Sequence, residues 1–141
     1  MKTYKKLEYL SHWLRCQATY HEMKYHLKLI QKGKIDSYLK RLGHYDRAIG
    51  KSVALARLSA KYHIPILVPT ERWKQHIEND IVRELPKYFK KNTPYCIVAS
   101  TNMNSYKGKS FNTLLIEEAL SDEQISKFVT RHILGYKSLY L

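Results

Sequence analysis

Four side chains in this sequence have the types and spacing needed to hold a phosphate chain. Lys51 and Ser52 follow Gly50 where a loop, Gly43-His44-Tyr45-Asp46-Arg47-Ala48-Ile49-Gly50, turns into a helix. The first backbone N–H groups there, at Gly50, Lys51, Ser52 and Val53, lack intrahelical partners, and the positive end of the helix dipole lies beside them, so the junction favours an anion. The lysine offers phosphate oxygens one compact charge, and the hydroxyl offers Mg²⁺ one oxygen ligand. Glu117 and Glu118 end the largely apolar run Phe111-Asn112-Thr113-Leu114-Leu115-Ile116. A strand ending this way delivers two carboxylates to the carboxyl edge of a sheet, where ligands bind in open α/β folds. One carboxylate, Glu117, can then hold Mg²⁺ through water, and the next, Glu118, can orient the attacking water of a phosphoryl transfer. Each half also has a plainer reading. Gly50 suits an ordinary turn with Lys51 as a solvated helix start, and acids at a strand end suit the dipole of a following helix. The two halves together, in this order and with strands between them, point to a nucleotide-phosphate site.

The elements that would position these residues follow from periodicity. Val53, Leu55, Ala56, Leu58 and Ala60 predict a helix from Lys51 to about Tyr62. Ile64 to Val68 predicts a buried strand entered through Pro65, a residue that belongs at a sheet edge or a strand's first residues. Residues 35 to 42 must then be the strand that feeds the loop. Their Asp36, Lys40 and Arg41 depart from the near-continuous apolar run of a central parallel strand, and a helix also fits them. Trp73, Ile77, Ile81, Val82 and Leu85 keep helical spacing between Pro69 and Pro86, and Tyr95 to Ala99 reads as another buried strand. Ser100 to Ser110 reads as a surface loop whose Lys107-Gly108-Lys109-Ser110 precedes a strand and opens no helix. Ser121 and Gln124 make a capping-box pair that starts a helix predicted to run to Leu134, before Gly135. No strand is predicted after Glu118.

Residues 4 to 32 contain neither proline nor glycine, and Tyr9, Trp13, Cys16, Tyr20, Met23, Leu27 and Ile30 recur at steps of four and three. One long amphipathic helix closing at Gly33 is predicted, with residues 1–34 forming it and 35–141 forming the α/β domain. Its seam fits either a helix laid on its own core or a contact with a second copy or another protein. His21 and His26 stand five residues apart and do not share a face as zinc-ligand pairs do.

Composition sets bounds on function. Lys and Arg number 25 against 12 Asp and Glu, a formal charge of +13, which directs the chain toward nucleic acid or another polyanion. At 44% apolar residues the chain is globular, not disordered. Two distant cysteines, Cys16 and Cys96, argue against a disulfide framework or zinc site and fit a reducing cytoplasm. No apolar run approaches the length of a membrane span, so no membrane partner is expected. No Gly-x-Ser-x-Gly elbow is present.

The run Arg47 to Val68, around Gly50-Lys51-Ser52, with Thr113-Leu114-Leu115-Ile116-Glu117-Glu118 later in the chain, resembles the P-loop NTPase superfamily. Within it the chain is most similar to the small ATPase-like proteins carried by bacteriophages. The resemblance covers residues 36 to 134. It implies a three-layer α/β fold with a parallel sheet, flanking helices and the long N-terminal helix outside it. It further implies ATP and Mg²⁺ as ligands, Lys51 on the β- and γ-phosphates, Ser52 on Mg²⁺, Glu117 at the Walker B metal position and Glu118 as the water-orienting residue. In an assembly, Arg47 or Arg131 would reach a neighbour's nucleotide. The sequence departs from the pattern in three places: Tyr45 stands where the first loop glycine belongs, Glu117 replaces the usual aspartate, and no clear strand follows Glu118 to supply a sensor residue. A hydrolysing ATPase and a nucleotide-binding member without turnover are both covered. A basic nucleic-acid-binding or inhibitor module is the alternative of a different class.

Overall fold

In the computed structural model, residues 3–43, 50–99 and 110–138 are described. Burial alternates along the central strands, and this alternation builds the layers. In β2 (Ile66–Val68), Ile66 and Val68 enter one core and Leu67 the other; in β3 (Cys96–Val98), Cys96 and Val98 part from Ile97 in the same way. In β4 (Ser110–Ile116), Leu115 joins the first core, Leu114 and Ile116 the second. Strands apolar on both faces need cover on both. With β1 (Tyr38–Leu42) and β5 (Val129–Ser138) they form a five-stranded, all-parallel sheet in the order β1-β5-β4-β2-β3.

The first face is covered by α1 (Thr3–Gln31), α2 (Lys51–Tyr62) and α3 (Glu71–Gln75), which passes through a π-helical turn at His76–Ile81 into α4 (Val82–Glu84). The second face carries α5 (Asp122–Ser126) and Phe128. Mixed α/β architecture with a parallel sheet and a long N-terminal helix is therefore as expected. No helix among the described residues is long and apolar enough to cross a membrane.

Residues 38–42 are a strand, and its edge position explains the charges that a central strand would not tolerate. Lys40 pairs with Glu22 of α1 at 2.9 Å, Tyr38 donates to the same carboxylate at 3.2 Å, and the His26 ring stacks on Tyr38 with centroids 3.6 Å apart. At the opposite edge, the Cys96 N–H donates to Glu78 Oε2 at 2.7 Å, so a side chain from the π-helical turn satisfies part of the exposed strand.

Only half of the α1 seam meets the core. Tyr20, Met23, Leu27 and Ile30 are buried, whereas Tyr9 is 68% and Trp13 41% exposed. Unbroken helix propensity carries α1 past the body that supports it, and periodicity does not tell where that body ends.

The predicted helix from Ser121 to Leu134 is corrected by the structure. The capping box is present, with Gln124 N–H on Ser121 Oγ at 3.2 Å and Ser121 N–H on Gln124 Oε1 at 2.9 Å, but the helix stops at Ser126. Val129, Thr130 and Ile133 are β-branched and enter β5, which is sandwiched between β1 and β4. A strand does follow Glu118. Gly135 is no helix stop: a Cβ there would lie 2.1 Å from the Ile116 carbonyl oxygen on the neighbouring strand. Because both sides of that contact are backbone, Gly135→Ala is expected to cost about 3 kcal/mol, read as a lower urea midpoint. An unchanged midpoint would show that the two strands can part freely.

Candidate functional site

Strand parity aims the first acid. Glu117 follows Ile116 and so shares the face of Leu115, the face covered by α2. Its backbone N–H donates to Leu67 O at 3.2 Å, and the Glu118 carbonyl accepts from Ser138 N–H at 3.2 Å. The acid pair is thus pinned between β2 and the end of β5. Because β5 lies between β1 and β4, the loop-feeding strand and the acid-bearing strand stand about 10 Å apart, two interstrand spacings. The winding reverses between β4 and β2: β2 proceeds outward to β3, while its neighbour β4 proceeds the other way to β5.

Gly50 caps the amino end of α2 with φ 77° and ψ 30°, a left-handed conformation costly to other residues, and its carbonyl accepts the Ala54 N–H at 2.9 Å. A Cβ at Gly50 would lie 2.7 Å from Cys16 Sγ, so α1 packs directly against this junction. Lys51 and Ser52 then open the helix, and Val53 packs at the margin of the first core. Ser52 Oγ donates to Glu117 Oε2 at 3.3 Å, and Lys51 Nζ lies 3.7 Å from Glu118 Oε1. All four predicted side chains are brought together across 65 residues of sequence. The body of the preceding loop, residues 44–49 and Arg47 with it, lies outside the described residues, as does most of the loop containing Lys107 and Lys109. Arg131 is exposed in the amino-terminal part of β5, between the residues registered with Phe111 and Thr113, and so stands toward the edge opposite the acid pair.

Glu117 is fully buried. Burial pushes its carboxyl up to about 7 and the Glu118 charge adds to this, while the Glu118 backbone N–H, Trp73 and Ser52 oppose it. Its hydrogen bonds are long, at 3.3 Å from Ser52 and 3.4 Å from the Glu118 N–H. Two further polar groups lie in this neighbourhood. The Tyr136 hydroxyl is buried with no hydrogen-bond partner among the described residues, and the buried Trp73 Nε1 stands beside the Glu117 carboxylate without reaching good hydrogen-bond geometry. Burial, then the charges of Glu22 and Glu117, hold the Tyr136 hydroxyl well above the ordinary tyrosine range.

The sequence reading missed both of these groups in functional terms. In the sequence Trp73 shows only helical spacing, although an indole carries a polar N–H that must find a partner when buried. Tyr136 shares the inward parity of Leu134, a signal hidden by reading that segment as helix. Among the described residues no cluster of three or more His, Cys, Asp or Glu is arranged to hold a metal by protein ligands alone. Ser52 Oγ and the Glu117 carboxylate are the oxygen donors there that could hold a hard cation together with water. No protein-family model matches the chain, and no match to it is found among curated proteins or solved structures.

Proposed function

We propose that the chain binds ATP with Mg²⁺ at the amino end of α2, in the manner of a minimal P-loop protein working on nucleic acid or within a protein assembly. The observation that carries this reading is the double contact of Lys51 with Glu118 and Ser52 with Glu117. Both contacts are long for their type, and a phosphate chain with its cation would replace them by shorter, charge-assisted ones. Lys51 takes the β- and γ-phosphate oxygens, and the N–H groups of Gly50 to Val53 add the helix-terminal field. Ser52 and Glu117 form the hard oxygen pair that suits Mg²⁺. An ion held there would supply positive charge beside the phosphates. With Lys51 drawn to phosphate, Glu118 is released to accept a hydrogen bond from water aimed at the γ-phosphate.

Glu117 must be ionised to act as a metal ligand. Metal binding near neutral pH therefore expels a proton. Isothermal titration with ATP in two buffers of different ionisation enthalpy tests this directly. Mg²⁺-dependent binding with proton release near pH 7 is expected, and no binding of any nucleotide at millimolar concentration would remove the proposal. The alternative, a basic module that holds nucleic acid without nucleotide, is favoured by the +13 charge and predicts that binding ignores Lys51.

A further inference from the structure

Away from the acid pair, the carboxy-terminal half of α2 forms one wall of a second cleft, of about 560 Å³, completed by residues 87–92. Lys61, Lys87, Lys90 and Lys91 line it, and no carboxylate does. Arg57 also lines it, with the guanidinium carbon over two rings, 3.5 Å from the centre of Tyr20 and 4.0 Å from that of Tyr88. Gln17 fixes this arrangement from α1, accepting from Arg57 Nη1 at 3.2 Å and donating to the Tyr88 hydroxyl at 2.9 Å. Among the described residues no carboxylate pairs with Arg57. A guanidinium placed over aromatic rings keeps its N–H groups at the edge, where they suit the fork geometry of a phosphate.

We propose that this cleft binds the phosphate backbone of a nucleic-acid strand, at a site separate from the nucleotide site. A solvated basic face would spread its lysines and mix them with acids. Here Lys61, Lys87, Lys90 and Lys91 share one cleft with Arg57 and no acid. Such concentrated charge exceeds what one small anion needs and fits successive phosphodiesters. Arg57 lies over both Tyr20 and Tyr88, Lys24 lies 6.0 Å from the Tyr20 ring and Lys87 5.0 Å from the Tyr88 ring, so the aromatics are engaged with cations and do not offer a platform for bases. Contact is with the backbone and therefore tolerant of sequence. This locates the nucleic-acid part of the function proposed above and holds whether or not the Lys51 site takes a nucleotide.

The test is fluorescence anisotropy of a labelled oligothymidylate against salt concentration, for the wild-type chain and for Lys87→Gln, Lys90→Gln and Lys91→Gln combined. All three lysines are exposed, so the melting temperature and the ATP titration should not change. Removing three phosphate contacts should weaken binding at least tenfold, and should reduce the slope of log K against log[salt] by about 2. Arg57→Lys, which keeps the charge but loses the planar fork, should also weaken it. Unaltered affinity and slope in the triple variant would overturn the proposal. So would displacement of the oligonucleotide by inorganic tripolyphosphate at equal phosphate concentration, which would assign the cleft to a compact free anion. Retained ATP binding alongside lost oligonucleotide binding would separate this site from the first.

Discussion

Lys51→Ala is expected to weaken Mg²⁺-dependent ATP binding by roughly a hundredfold while the protein stays folded. The loss on the ligand side is about 3 kcal/mol, the worth of charged hydrogen bonds to two phosphates. The loss on the protein side is small. The Lys51–Glu118 pair is 3.7 Å long, with the Lys51 side chain 11% and that of Glu118 32% exposed, and a part-buried pair of this length contributes about 1 kcal/mol. Calorimetric titration gives the first quantity and a thermal melt the second. The comparison separates the two functional classes, because oligonucleotide binding should be indifferent to this change. Equal ATP affinity in the variant and the wild type would mean that the lysine faces Glu118 for structural reasons only.

Glu117→Gln should make the protein more stable at pH 8 and less competent. The folded-state carboxyl titrates at about 7, above an ordinary value of 4.5. The folded protein therefore keeps this proton to higher pH than the unfolded chain does. The contribution of Glu117 to stability is greatest below pH 4.5 and is lost as pH rises through about 7. Above that range, holding the ionised carboxylate in the core costs about 3 kcal/mol, which the neutral amide avoids. The expected gain is on the order of 10 °C in melting temperature at pH 8, shrinking to nothing near pH 4. The same amide removes the anionic oxygen, so dependence of ATP binding on Mg²⁺ should disappear. In the wild type that binding should weaken as pH falls below 7. A variant no more stable than the wild type at pH 8, or equally stabilised at both pH values, would contradict this account of the site.

Local patterns made most of the individual elements legible. The apolar recurrence from Val53 to Ala60 marked α2, and the short hydrophobic runs marked β2, β3 and β4. The four candidate site residues were legible because side-chain types with this chemistry sat at the ends of those elements. β5 was not legible. Its hydrophobic residues follow a real capping box, and Gly135 imitates a helix terminator, so the local signal favoured helix. Only the neighbouring strands select the extended form, and contacts between parallel strands leave no trace in a single segment. With β5 went Tyr136, and with tertiary contact went the meaning of Trp73. Sequence shows that an indole N–H exists, but not that it is buried beside a carboxylate.

The close packing of Cys16 on Gly50 has a mechanical side. Residues 3–15 of α1 are exposed along their whole length, an arm about 20 Å long with Leu7, Leu10, Leu14 and Trp13 open to solvent. Cys16 is its fulcrum. The far end of the same helix is anchored by Met23, Leu27 and Ile30, which are almost wholly inaccessible. A force applied at the tip therefore cannot be absorbed by sliding the helix across the sheet, because interiors packed at this density resist it. It is delivered sideways at residue 50, onto the left-handed glycine from which α2 departs.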